Sequence, residues 1–308
     1  MPSSRVVVFG YGELALAAID ALEQVDADVA SMVVPGNRQG GDVALVRSVA
    51  RSRGLTLLTQ PPKAQLPRFL DEIRALEPDV LLVWSYSMIL PPELLAIPRM
   101  GAVNVHGGLL PEYRGGHVMN WALINGERES GATLHYMDAG IDTGPVIAER
   151  RFLIDRHDDA ASVRGKLLEA GQVLLETWWP AIADGTAPRT PQDESRAHYY
   201  PMRVAEDGLI DWTQSSAAIY NLVRALVAPW PGAFTFVADT KLVVRRLRQV
   251  AISPCEEAAG TVTCCDQESV VVATGSGAVE LLAVEIDGRP AGLADLRRVG
   301  MTAGVRLR

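Results

Sequence analysis

The stretch "RVVVFGYGELALAAIDALEQ", residues 5–24, decides the fold. After Arg5 it runs apolar and mostly β-branched to Gly10, the mark of a short strand buried on both faces. Leu14, Ala17, Ile19 and Leu22 then recur at helical spacing. A buried strand feeding an amphipathic helix through a glycine turn is the first unit of a doubly wound α/β sheet. The same grammar continues outward. Strands are expected at 29–34, 55–59, 79–85 and 101–107, with helices at 42–54 and 67–78 and a short proline-started helix in "PPELLAI". Residues 131–154 read as two strands around an Asp- and Gly-rich loop, and 161–185 as a long helix ending at Gly185.

Residues 186–205, "TAPRTPQDESRAHYYPMRVA", are polar with three prolines and read as a linker. Beyond them a helix capped by Ser215 or Ser216 runs toward Pro229. Short strands at 241–250, 260–264, 269–274 and 278–286 then suggest a small barrel. The expected architecture is α/β. A Rossmann-like, mostly parallel sheet domain (1–188) is followed by a linker (189–205) and a smaller, OB-like β-barrel domain (206–308).

The 308 residues are 48% hydrophobic and 21% charged, with a net charge of −8. That balance speaks against a nucleic-acid partner. Cys255, Cys264 and Cys265 are too few and too clustered for a disulfide framework, which points to a reducing, cytoplasmic setting. There is no signal-peptide layout and no apolar run long enough to span a membrane. "GYGELA" (10–15) fits the glycine pattern of a dinucleotide turn. The second strand ends in "MVVPGNRQGG" without the acid that would hold the ribose, so a tight strand-to-helix turn explains it better.

"NVHGGLLPEYRGG", residues 104–116, carries the chemistry. It lies where an α/β sheet places its ligands, at the carboxyl end of a strand. Residues i and i+2 of a strand face the same way, so Asn104 and His106 should project into one crevice. An amide can donate to a developing oxyanion, an imidazole can shuttle a proton, and a carboxylate such as Asp142 can orient that imidazole. The set suits acyl transfer to an external nucleophile. No metal is expected, because His106, His117, His135 and Asp142 lack metal-site spacing, and His117 and His135 read as ordinary helix-start and strand residues.

With its Asn-x-His, Leu-Leu-Pro-x-Tyr-Arg-Gly and "MDAGIDTG" (137–144) elements, the chain resembles the formyltransferases that use 10-formyltetrahydrofolate. "DGLIDW" and "APWPGAF" are similar to the start of that family's C-terminal domain. The likeness is strongest to enzymes that formylate nucleotide-linked amino sugars, such as UDP-4-amino-4-deoxy-L-arabinose formyltransferase. The resemblance implies that Asn104 stabilises an oxyanion and His106 acts as general acid-base. It implies that Asp142 tunes His106 and orders a water. The pterin would sit against the backbone of Met88, Ile89 and Leu90 and the loop Asp138, Ala139, Gly140, Ile141 and Asp142. Tyr113 and Arg114 would belong to a substrate loop. The implied acceptor is a small-molecule amine, with methionyl-tRNA or water (a formyltetrahydrofolate hydrolase) as alternatives. Residues 231–308 would bind a ligand, help form a homodimer or brace the first domain. Two positions depart from the family pattern. Gly108 replaces a serine whose hydroxyl would order the loop, and Gly116 stands where the arabinose enzyme has an arginine.

Overall fold

A computed structural model describes residues 4–250, 257–266 and 269–308; Cys255 lies outside the described residues. Contacts divide the chain into two units, and the division is not a single cut. The first unit comprises Met1–Val118, Glu129–Leu153 and Gly165–Tyr200; the second comprises Met119–Arg128, Ile154–Arg164 and Pro201–Arg308.

The first unit is a seven-stranded sheet. In chain order its strands are β1 (Arg5–Gly10), β2 (Asp28–Pro35), β3 (Thr56–Gln60), β4 (Val80–Trp84), β5 (Gly101–His106), β7 (Glu129–Tyr136) and β8 (Val146–Leu153). The short β6 (Arg114–Gly115) stands apart and pairs with β9 (Tyr199–Tyr200). The spatial order is β3-β2-β1-β4-β5-β7-β8. The first five run parallel, and β7 and β8 are antiparallel to their neighbours. The uninterrupted apolar strands take the middle of the sheet, where both faces are covered. Val6, Val7, Val8 and Phe9 of β1 and Val80, Leu81 and Leu82 of β4 have no exposed surface. The chain steps from β1 outward through β2 and β3 and then returns to β4 on the other side of β1. The crevice at such a reversal lies beyond the carboxyl ends of the strands. Here those ends are Tyr11 after β1, Ser85 after β4 and His106 itself, with the Tyr11 amide donating to the Ser85 carbonyl at 3.1 Å.

Helices α1 (Gly12–Gln24), α2 (Gly41–Ser52), α3 (Leu66–Ala75), α4 (Pro92–Leu95) and α6 (Ala160–Asp184) fall where the apolar spacing puts them, and α5 (Val118–Ile124) follows β6. Residues 189–200, expected as linker, group with the first unit instead. They make a 3₁₀ turn at Glu194–Arg196, strand β9, and a pairing of Thr190 with Val146. Their composition hid this, because the segment is held by polar contacts that leave no hydrophobic period.

In the second unit, α7 (Ser216–Ala225) begins at Ser215, whose side chain accepts from the Ala218 amide. The strands β10 (Ala233–Val237), β11 (Thr240–Val250), β12 (Val262–Cys265), β13 (Val270–Ala273), β14 (Ala278–Ile286) and β15 (Arg289–Ala291) form one antiparallel sheet, and α8 (Leu293–Arg298) follows. β10 and β15 were not legible as strands, since "GAFTFVADT" is bounded by a proline turn and β15 has three residues. Residues 304–308 join the two outer strands. Phe236 of β10 exchanges both backbone hydrogen bonds with Arg308, while Val262 and Gly260 pair with Val305 and Leu307. Among the described residues no helix is long and apolar enough to cross a membrane.

Helix α6 passes its Gly171 directly over the Trp84 indole; a Cβ there would lie 2.3 Å from Trp84 Cζ2. Gly171→Ala gains about 1 kcal/mol in helix propensity. It also forces overpacking that costs about 1–3 kcal/mol against a side chain 1% exposed. The expected outcome is a lowered thermal midpoint; a raised one would show that the helix can move away from the indole freely.

Candidate active site

β5 pairs antiparallel with β7 so that Asn104 faces His135 and His106 faces Thr133. Thr133-x-His135 therefore mirrors Asn104-x-His106 across the ladder, and the four side chains share one end of the sheet. Of these, the sequence reading picked out only the pair on β5.

His135, read from the sequence as an ordinary strand residue, is a central member of the cluster. Its Nδ1 lies 2.8 Å from the Tyr136 carbonyl oxygen, which can only accept, so Nδ1 carries the proton. Nε2 is then a bare acceptor, and it lies 3.1 Å from the Asn104 amide nitrogen. One Asn104 N–H is thereby fixed on His135, the side-chain oxygen is excluded from that direction, and the second N–H is left to point elsewhere. Burial pushes the His135 imidazole down to about 4; the nearby Asp142 carboxylate opposes this and His106 adds to it. The approach of Asp142 Oδ1 to His135 Nε2, 3.7 Å, is accordingly not an ion pair.

His106 is also buried. Its Nε2 donates to the Tyr113 carbonyl at 2.5 Å, and its Nδ1 faces Asp142 Oδ2 at 3.5 Å. Both ring nitrogens thus meet acceptors, a geometry that accommodates the ring while it carries two protons. Asp142 stands at φ 55°, in the left-handed region, where a side chain with a Cβ costs about 1–2 kcal/mol. Its Oδ2 accepts the Gly115 amide at 2.9 Å, which fixes the carboxylate toward His106.

Asp138 builds the loop before it, accepting from the Gly140 amide and the Thr143 hydroxyl, so its side chain serves the turn. Gly140 and Ala139 complete that turn, and Ile141 is 56% exposed. Met88, Ile89 and Leu90 lie in the loop after β4. Leu90 is buried while Ile89 is 78% exposed, with its carbonyl held by Gln60 Nε2 at 3.2 Å.

Arg114 differs from its sequence expectation. It has no exposed surface, and its guanidinium is taken by both Glu194 oxygens at 2.6 and 2.9 Å, by Gln192 Oε1 and by the Tyr199 hydroxyl. A cation so enclosed supports the fold and is not free for substrate. Tyr113 stacks on Tyr200 with ring centroids 4.8 Å apart. The Gly108 departure is answered by Thr133, whose hydroxyl donates to the Gly108 carbonyl at 2.7 Å and accepts from the Leu110 amide. A Cβ at position 108 would sit 2.9 Å from Tyr113 Cβ, so the loop is built around glycine. The Gly116 amide donates to the Tyr200 carbonyl.

Comparison with known proteins identifies the family. Residues 4–177 match the family model described as formyl transferase, and residues 204–295 match formyl transferase, C-terminal domain. A methionyl-tRNA formyltransferase of Citrifermentans bemidjiense is 37% identical over 300 residues, covering 95% of this chain and 93% of that protein. Among solved structures, WlaRD, a sugar 3N-formyl transferase, superposes with a TM-score of 0.68 at 18% identity, covering 94% of this chain and 100% of that one. The N-formyltransferase of Helicobacter canadensis gives 0.67 at 19% identity, over 90% and 98% of the two chains. At those identities the two structures speak for the fold.

His135 is neutral in the fold, whereas in the unfolded chain it takes up a proton near pH 6.5. Between about pH 6.5 and about 4 the unfolded state therefore binds more protons, and stability falls as the pH drops through that window. His135→Gln should flatten the fall in urea midpoint between pH 7 and 5. An equal fall in the variant would assign the acid sensitivity to other groups.

Proposed function

Because the chain belongs to the formyl transferase family, we propose that it carries the formyl group of 10-formyltetrahydrofolate to the amino group of methionyl-tRNA. The observation that carries the chemistry is the Asn104 amide, oriented by a neutral His135 and set beside His106 and Asp142 at the end of β5. The acceptor amine adds to the formyl carbon, and the formyl oxygen takes up negative charge. The free N–H of Asn104 donates to that oxygen as the charge develops, which favours the transition state over the ground state. The bond to the folate nitrogen then breaks. The proton lost by the amine is the one that nitrogen needs, and His106 relays it. The Asp142 carboxylate compensates the ring while it is doubly protonated. The pterin would lie against the backbone of Met88, Ile89 and Leu90 and the loop from Asp138 to Asp142, where Ile89 and Ile141 are exposed.

The choice of tRNA over an amino sugar rests on the relative 37% identical along nearly the whole chain. It replaces the expectation drawn from net charge. A whole-chain charge of −8 is an average: residues 201–308 carry eleven Arg and Lys against twelve Asp and Glu and are close to neutral. Phosphate contacts depend on the local field, which the average conceals.

Tetrahydrofolate release from 10-formyltetrahydrofolate should require methionyl-tRNA and fall steeply with added salt. Release with UDP- or dTDP-linked amino sugars instead would restore the small-molecule acceptor, and release with water alone would make the protein a hydrolase. Asn104→Ala should lose about 10²–10³-fold in kcat while remaining folded. Near wild-type turnover would remove Asn104 from the mechanism.

A further inference from the structure

Gln192 uses all four hydrogen-bonding positions of its side-chain amide. Oε1 accepts from Arg114 Nε at 3.1 Å and Nη2 at 2.8 Å. Nε2 donates to the Asp142 carbonyl at 2.8 Å and the Gly144 carbonyl at 2.7 Å. Chemistry leaves it one orientation, since a guanidinium only donates and a carbonyl only accepts. The residue therefore ties together two loops that sequence separates widely. One contains Tyr113, whose carbonyl accepts from His106 Nε2, and Gly115, whose amide donates to the Asp142 carboxylate. The other contains Asp142 itself, in its left-handed conformation.

The surrounding segment reinforces the tie from the same side. The Arg114 amide donates to the His198 carbonyl, the His198 amide to the Pro111 carbonyl, and the Gly116 amide to the Tyr200 carbonyl. Thr190 exchanges two backbone bonds with Val146, and Arg196 pairs with Glu112. Residues 190–200 thus form a strap over both loops, with Gln192 bonded to both.

We infer that Gln192 is a positioning residue for catalysis, holding Asp142 in register with residues 113–115 so that its carboxylate meets His106. This rests on the reading of Asp142 and His106 given above. It makes Gln192 matter to turnover without touching the reacting atoms.

Two substitutions separate the halves of the amide. Gln192→Leu removes every bond. Gln192→Glu retains acceptors for Arg114, loses the two donors to the Asp142 loop and turns a carboxylate oxygen toward the Asp142 and Gly144 carbonyls, so it breaks that half of the tie while keeping the ion pair with Arg114. Formyl transfer to methionyl-tRNA is measured for each, alone and in an Asp142→Asn background. Each single variant should lose about 10–100-fold in kcat, the scale of a misplacement of about 1 Å, with the KM for the formyl donor within about threefold. In the Asp142→Asn background the same substitutions should change kcat less than about twofold. Multiplying effects would overturn the inference, as would a folded Gln192→Glu at wild-type kcat. An Asp142→Asn variant at wild-type rate would sink the reading of the site and the positioning role with it. Hydrogen exchange at the Gly115 amide reads the same contact with no acceptor present. It should be at least tenfold faster in Gln192→Glu, and unchanged exchange would overturn the inference whatever the acceptor proves to be.

Discussion

A guanidinium with no surface in water must have its charge and its donors answered inside the protein. Arg114 sits in that position immediately after the loop that follows β5, and the answer comes from a segment some eighty residues away in sequence. Once Glu194 and Gln192 are fixed on it, the course of residues 190–200 is largely determined, and so is the placement of the loops beneath. Gly115 can then offer its amide to Asp142 because β6 lies against β9; a Cβ on Gly115 would reach within 2.3 Å of the Tyr200 carbonyl. The hydrogen bonds from Arg114 hold the Glu194 carboxyl below the usual carboxylate range, although its side chain is largely exposed.

At the reacting end the organising device is a chain of single-direction hydrogen bonds. The Tyr136 carbonyl fixes the proton of His135, His135 fixes the amide of Asn104, and Asn104 is left with one donor unassigned. Burial keeps this chain neutral, which matters because a protonated His135 would have to turn Asn104 around. The neighbouring imidazole, His106, has the opposite surroundings, a carbonyl on one nitrogen and a carboxylate on the other. Two histidines with ring centroids 6.3 Å apart are thus assigned different duties by what faces them.

The strands and helices of the first unit were readable because burial on both faces leaves a plain apolar signature, as in residues 6–9 and 80–84. That Asn104 and His106 share one end of β5 was readable from their spacing, and Asp142 lies beside His106 in the structure. His135 and Thr133 were not readable, because their place depends on β7 running antiparallel beside β5, a fact of register. Gln192 was hidden more deeply. It lies among prolines and charges with no period, and its partners are a buried cation and two backbone carbonyls that no pattern announces. Arg114 misled in the other direction, since an arginine in a glycine-rich loop looks available until its burial is known. Net charge is a weak guide to the acceptor for a related reason, since a sum over the whole chain does not describe a surface.

The closing of the second unit's sheet has a bearing on how that unit can meet other molecules. With residues 304–308 bonded to both β10 and β12, much of the main-chain edge that could recruit an extra strand is already occupied. Recognition by strand addition, which reads backbone and tolerates almost any sequence, is disfavoured at those two margins. What remains for a partner to read there is side chains, so the identities of the residues on the outer surface of this unit, more than its shape, set what it can bind.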